Sequence, residues 1–350
     1  MTSQLVRPLD QLSLGDEPGF GGKSANLGEL LAAEVPVPPG FALSTAAFEA
    51  FVHEAGLSDR ISRALSGLSV GNLDAIGRAS QTIGEAMRRA PVPGSVRTEV
   101  AEQYAALGAD DPPVAVRSSA VGEDSQDATF AGQQETYLWV RGAEHVCEAV
   151  RDCWVSLFSP PAISYRLRLG ERAHTPAMGV TVQSMVDAEV SGVMFTCNPV
   201  SGDPSMVAIN ASWGLGLAVV GGEVTPDDYL VSKVTRELVR EHVHTKDVQY
   251  VPDPSGDGAA RVAVAPDRQD VRCLDAPALE RLVGVARKIE RYFGCHQDIE
   301  WAVARDDPEG LFVVQTRPVT ALAKKTETPK AESAMSLIMS TFGAGKPSDN

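Results

Sequence analysis

Apolar residues recur at three- and four-residue spacing through positions 45–56, 58–68 and 73–90, with breaks at Gly56, Gly67 and Gly71, and this predicts three amphipathic scaffold helices. A further helix follows Pro91, Pro93 and Gly94 and closes near Leu107. Others are expected over 144–157 and behind Pro160 and Pro161, where Tyr165, Arg166 and Arg168 lie; the strongest amphipathic pattern of all covers 276–293. Between these stand shorter runs with strand character at 114–116, 137–140, 178–186 and 188–196. Polar and apolar residues alternate through 298–303 and again through 311–317. A two-residue period puts Asp298 and Glu300 on one face while Ile299 and Trp301 turn into the core, and gives Gln315 and Arg317 a shared face. If the two strands are neighbours, Glu300, Gln315 and Arg317 meet. The polar stretch 234–269, with prolines and glycines between 252 and 258, predicts a peripheral β excursion. Helices and strands mixed along one chain indicate an α/β protein.

Length changes the picture first. At 350 residues the chain exceeds what one core usually organises, so two lobes with a cleft between them are expected. With 43% hydrophobic and 22% charged residues, and no apolar run long enough to span a bilayer, membrane insertion is not expected. The start, MTSQLVRPLDQLSLGDE, lacks the basic and apolar segments of a secretory signal, so a cytoplasmic location is expected. Cys147, Cys153, Cys197, Cys273 and Cys295 form no C-x-x-C pair and are read as reduced. A formal charge of −15 repels nucleic acid and anionic membranes. A phosphate compound must therefore bind where cations are gathered locally, with Mg²⁺ helping.

Such cations exist. In 114–136 Arg117 follows a short strand and precedes Ser118, Ser119, Gly122 and Gly132, small residues that let backbone amides approach an anion. An ordinary strand ahead of a solvated loop would read the same way. Lys23 opens a helix expected over 24–33, beside glycines and free amide groups suited to a phosphate. It is not a P-loop lysine, because Glu17 stands where that motif requires glycine. Nor is Gly214-Leu215-Gly216 a dinucleotide fingerprint, since Val219 replaces the third glycine; the loop is read as a packed turn. The hinge between lobes is placed in 178–196, where backbone groups of Ser184, Met185 and Val186 offer an adenine edge its donor and acceptor, with Gln183 and Glu189 nearby. Glu300 and Gln315 supply oxygens of the kind Mg²⁺ prefers, although a solvated hairpin face fits the alternation too. Asp298 is expected to orient its neighbours or a metal-bound water, and His296, flanked by Cys295 and Gln297, to be structural.

The 114–136 stretch does not stand alone. With GGKSANLGEL and VPVPPGFALST before it, SGVMFTCNPVSGD and WGLGLAVVGGEVTPDDYLVSK after it, and DIEWAV and LFVVQTRPVT near the end, it resembles the nucleotide-binding domain of the pyruvate phosphate dikinase and phosphoenolpyruvate synthase family. Rifampicin phosphotransferase and the ATP-binding subunit of phenylphosphate synthase share that domain. The blocks keep the family's order over 21–320. The resemblance implies an ATP-grasp-like α/β fold whose lobes, 1–182 and 183–321, clamp ATP, followed by a charged linker and tail over 322–350. It implies that Lys23, Arg117 and Arg317 act on the phosphates, with Thr136 near them. Gln183, Ser184, Met185, Val186 and Glu189 would hold the nucleoside, and Glu300 and Gln315 the Mg²⁺. The chain departs from the family at Leu217 and Gly221, where relatives often carry glutamate and serine, so no ligand role is given to that loop.

The resemblance also implies a mechanism in which a histidine on a mobile domain, in a threonine-serine-histidine context, attacks ATP and yields AMP and phosphate. His53, His145, His174, His242, His244 and His296 all lack that context. The expected partner is thus a separate subunit bearing the histidine, and the expected acceptor a small molecule, a phenol by preference, with pyruvate or a rifamycin as alternatives. An ATP-sensing regulatory subunit and an ATP-grasp ligase are the competing classes, separated by whether AMP, ADP or no product forms.

Overall fold

A computed structural model of the protein describes residues 4–108, 110–121, 135–168, 170, 177–255 and 258–319. Gly122, Gly132, His174 and the 322–350 tail, all singled out above, lie outside the described residues. Up to residue 184 the elements are β1 (Val6–Pro8), α1 (Glu17–Phe20), α2 (Gly22–Ala32), β2 (Gly40–Leu43), α3 (Thr45–Glu54), α4 (Ser58–Leu65), α5 (Leu73–Arg89), α6 (Gly94–Ala106), β3 (Val114–Ala120), β4 (Thr136–Val140), α7 (Ala143–Ser156), α8 (Pro160–Arg168) and β5 (Met178–Ser184). After it come β6 (Ala188–Phe195), β7 (Met206–Trp213), α9 (Leu217–Val220), β8 (Asp227–Ser232), β9 (Leu238–His242), β10 (Val248–Pro252), β11 (Ala259–Ala263), α10 (Ala276–Phe293), β12 (Gln297–Ala304) and β13 (Leu311–Pro318).

The first group builds an antiparallel sheet in the order β1-β2-β5-β3-β4, the second an antiparallel sheet in the order β13-β12-β6-β7-β8-β9 with β10 and β11 as a separate pair. The chain passes between sheets at 185–187, where Met185 N–H donates to the Pro113 carbonyl at 2.9 Å. Val116, Val180 and Val182 face a core completed by the scaffold helices, with Trp154 against Phe48 and Phe51 at centroid distances of 5.9 and 5.2 Å. Under the other sheet, α10 buries Leu282, Ala286 and Ile289 against Ile299 and Val313. Its start is capped by the Asp275 carboxylate, which accepts from Ala278 N–H at 2.8 Å, and its end by Gly294 at φ +69°.

Helix α2 ties the halves together. It lies between β1 and β2 of the first sheet in sequence, yet Leu27 and Leu30 are buried in the second core. Its Gly28 permits this: a Cβ there would lie 2.2 Å from the Leu12 carbonyl oxygen.

Strand β3 does not end at Arg117. Ser118, Ser119 and Ala120 continue the ladder opposite Val180, Gly179 and Met178 of β5. The two serines are buried and engaged: Ser119 Oγ accepts from Ser24 N–H at 3.3 Å, and Ser118 Oγ from Glu135 N–H at 3.2 Å. The expectation that they open into an anion-cradling loop is therefore overturned. Their small size instead lets α2 approach the sheet.

Candidate functional site

Between the two sheets lies a cleft of about 320 Å³, within the range of small-molecule sites. From the first sheet and α2 it takes Lys23, Arg117, Thr136 and Gln183; from the crossover, Ser184, Met185 and Val186; from the second sheet, Glu300, Gln315 and Arg317. Residues nearly 300 positions apart in the chain thus share one wall-to-wall space.

Each is held by its element. Lys23, only 6% exposed, sits in the first turn of α2, whose start is pinned by the Ser24 hydroxyl against Thr181 at 2.7 Å. Arg117 projects from β3 across the cleft, and its Nη1 donates to the Val314 carbonyl of β13 at 3.1 Å. Thr136 is its register partner on β4. Gln183 is 2% exposed in the middle of the first sheet, and its amide Nε2 has no hydrogen-bond partner among the described residues. A buried amide donor left open on a cleft wall is a position for a ligand acceptor.

On the opposite wall the register pairs Glu300 with Gln315 and Asp298 with Arg317. Arg317 Nε donates to Asp298 Oδ2 at 2.8 Å. Burial pushes the Asp298 carboxyl above its ordinary value, Arg317 opposes this, and Glu300 adds to it. A bulge between Glu300 and Trp301 breaks the strict alternation, and Trp301 and Ala302 also reach the cleft wall. Among the described residues no three His, Cys, Asp or Glu side chains form a metal cage. Glu300 and Gln315 nonetheless offer two adjacent oxygens, a donor set that suits Mg²⁺ shared with phosphate oxygens.

Glu189 is placed elsewhere. It does not line the cleft, and its carboxylate is paired with Arg268 and Arg305. None of the described histidines lines the cleft, and His296 Nδ1 lies 2.7 Å from Glu290 Oε1. The Gly214-Leu215-Gly216 turn is packed, as read from sequence, but it is also cleft wall: Leu215, Gly216, Leu217 and Val220 all face the space. Apolar residues in a short loop carry no chemical signature, so sequence spacing gave no sign of this. Val220, 64% exposed, lines the wall from a loop held by the Leu215 N–H bond to the Tyr250 carbonyl at 2.8 Å and the Gly214 N–H bond to the Glu189 carbonyl at 2.9 Å.

Comparison with known proteins gives the site a context. A family model described as the pyruvate phosphate dikinase AMP/ATP-binding domain matches residues 17–337. A probable phosphoenolpyruvate synthase of Methanocaldococcus jannaschii is 40% identical over 328 residues, which is 93% of this chain and 27% of that protein. Another probable phosphoenolpyruvate synthase, from Staphylothermus marinus, is 39% identical over 93% of this chain and 42% of its own length. The phosphoenolpyruvate synthase of Aeropyrum pernix is 37% identical over 95% of this chain and 44% of its own length. The chain thus spans less than half the length of these relatives.

Proposed function

The chain belongs to the pyruvate phosphate dikinase AMP/ATP-binding domain family, which makes it an ATP-binding domain, and from that premise we propose that it activates ATP for a dikinase-type phosphotransfer completed on another polypeptide. The two antiparallel sheets act as the lobes of an ATP-grasp-like clamp, divided after β5 at Ser184 rather than at 182, where the boundary expected from sequence would cut that strand. The observation that carries this reading is the convergence of Lys23, Arg117 and Arg317 with Glu300 and Gln315 on one cleft.

In this reading Gln183 and the backbone of 184–186 hold the adenine, with the Gln183 amide donor finding its partner on the base. Lys23 and Arg117 hold the triphosphate from one side and Arg317 from the other, where they offset charge developing on the transferred phosphorus. Mg²⁺ bound at Glu300 and Gln315 would neutralise phosphate charge. A histidine of the partner subunit forms a bond to the β-phosphorus as the bond to the AMP oxygen breaks. The γ-phosphate then leaves to water as inorganic phosphate, and the remaining phosphoryl group passes from the histidine to the acceptor.

The acceptor is read from the relatives. Their names support pyruvate, the alternative given by sequence; the preferred phenol finds no support among them. Incubating the chain with ATP and Mg²⁺, alone and with a histidine-bearing domain of a phosphoenolpyruvate synthase, tests the proposal. AMP and a phosphohistidine should appear only in the second case; ADP formation by the chain alone would overturn it.

A further inference from the structure

On the far side of the second sheet, between its edge strand β9 and helix α10, lies a larger groove of about 650 Å³ that shares no residue with the nucleotide cleft. Among the described residues strand β9 pairs only with β8 and stands at the sheet edge, an arrangement that invites a further strand. Leu238 and Val239 on that strand are 39% and 56% exposed, and Val234, Val243 and Val271 around it are exposed as well. Of these Leu238 lines the groove itself, with Val231, Leu279 and Val283 completing its apolar wall.

The helix wall shows the same thing independently. Gly284 sits in the middle of α10 and lines the groove, yet a Cβ there would touch nothing within 4 Å. Internal packing does not require glycine at that position, and glycine weakens a helix interior. What it does is keep the groove floor low. One turn on, Arg287 lines the groove half-buried, with no ion pair or hydrogen bond among the described residues. Arg236 and Arg272 flank the same space; Arg236 pairs with Glu280 at 3.2 Å, and Arg272 pairs with Glu241 at 3.3 Å and donates from Nε to the Leu274 carbonyl at 2.7 Å. In a protein of net charge −15 the groove is lined by three arginines against one carboxylate, Glu280, and Arg287 is the arginine left without a carboxylate among the described residues.

We propose that this groove docks an extended segment of another polypeptide in which apolar and acidic residues alternate, added as a seventh strand along β9 with its carboxylates on Arg287, Arg236 and Arg272. Main-chain hydrogen bonds to the edge supply affinity and alternate side chains supply selection. Charge decides among the possible occupants. The chain's own residues 320–350 carry four lysines against three acidic residues, the wrong balance for an arginine-lined groove. A second copy pairing β9 on β9 would bring three more arginines to the groove, a repulsive arrangement.

The test uses the full chain and a fluorescein-labelled hexapeptide of alternating valine and glutamate, with a valine and lysine hexapeptide for comparison. Fluorescence anisotropy should show saturable binding of the acidic peptide only, and hydrogen exchange should show protection of residues 238–242 when it binds. Leu238→Asp and Arg287→Glu, made separately so that one misfolded variant does not decide the result, should each weaken binding at least tenfold. Absence of saturable binding, binding without protection of β9, or undiminished affinity in both variants would overturn the proposal. Protection of the outward-facing amides of 238–242, those not bonded to β8, before any peptide is added would overturn it too, assigning the groove to the chain's own tail or to a second copy.

Discussion

Arg317 and Asp298 face each other across the β12 and β13 pair, and the guanidinium Nε donates to the carboxylate Oδ2 at 2.8 Å, two residues from the matching pair of Glu300 and Gln315. Asp298 thus holds an arginine at the cleft wall while leaving Glu300 the outer carboxylate. Its environment is expensive for the charge: burial outweighs Arg317 in setting its pKa, which lies above the ordinary 3.8.

The sign of the resulting pH dependence follows by linkage. Between 3.8 and the raised value the folded chain binds more protons at Asp298 than the unfolded chain, so this group's contribution to stability falls as pH rises through that window. Asp298→Asn should therefore unfold at higher urea than the parent at neutral pH, and the difference should shrink as pH drops below 3.8. A variant less stable than the parent at neutral pH would show instead that the Arg317 bond outweighs burial.

Glu300→Ala should remove most of the Mg²⁺ dependence of ATP binding, with a loss in metal affinity of at least about 10-fold. Asp298→Ala should do less, because Asp298 is engaged by Arg317. Titration calorimetry with ATP in the presence and absence of Mg²⁺ measures both. Unchanged binding in Glu300→Ala would remove the metal from this residue.

Arg117→Ala should keep the fold and lose phosphoryl transfer. The bond to the Val314 carbonyl is one charge-assisted hydrogen bond, so its loss should lower stability by no more than about 2 kcal/mol. Transfer to a supplied histidine domain should fall by roughly 10³-fold, the scale of losing a cation from a phosphoryl-transfer site. Single-turnover AMP formation is the readout, and full transfer would leave Arg117 a purely structural strap between the sheets.

Gly21→Ala should damage both stability and ATP affinity. Gly21 has φ +80° and ψ 163°, a region open essentially to glycine, and a Cβ there would lie 2.1 Å from the Ser119 carbonyl oxygen. Strain and overpacking together suggest a loss of about 2–5 kcal/mol. The start of α2, which carries Lys23, must then shift from β3. Gly294→Ala is the control: its φ is also positive, at +69°, but the space is open, so the expected loss is only about 1–2 kcal/mol with nucleotide binding unchanged. Urea denaturation and calorimetry on both variants separate the effects.

Periodicity along the chain determined the elements that carry the chemistry. The helix over 276–293 and the alternating strands around Glu300 and Gln315 were legible because each presents one buried face, and a buried face fixes which residues point the other way. Local signals of that kind cannot say where an element ends when its side chains are satisfied by distant ones. Ser118 and Ser119 look like loop residues until Ser24, Glu135 and β5 are placed around them. Nor can they say which neighbours a charged group will find: Glu189 lies five residues from Ser184, yet Arg268 and Arg305 claim it. The joining of Lys23 and Arg117 to Glu300 and Arg317, and the recruitment of Leu215 and Val220 to the same wall, were decided by tertiary structure. A cleft is a relation between two sheets, and it exists only once α2 and the crossover at 185–187 have fixed how the sheets meet.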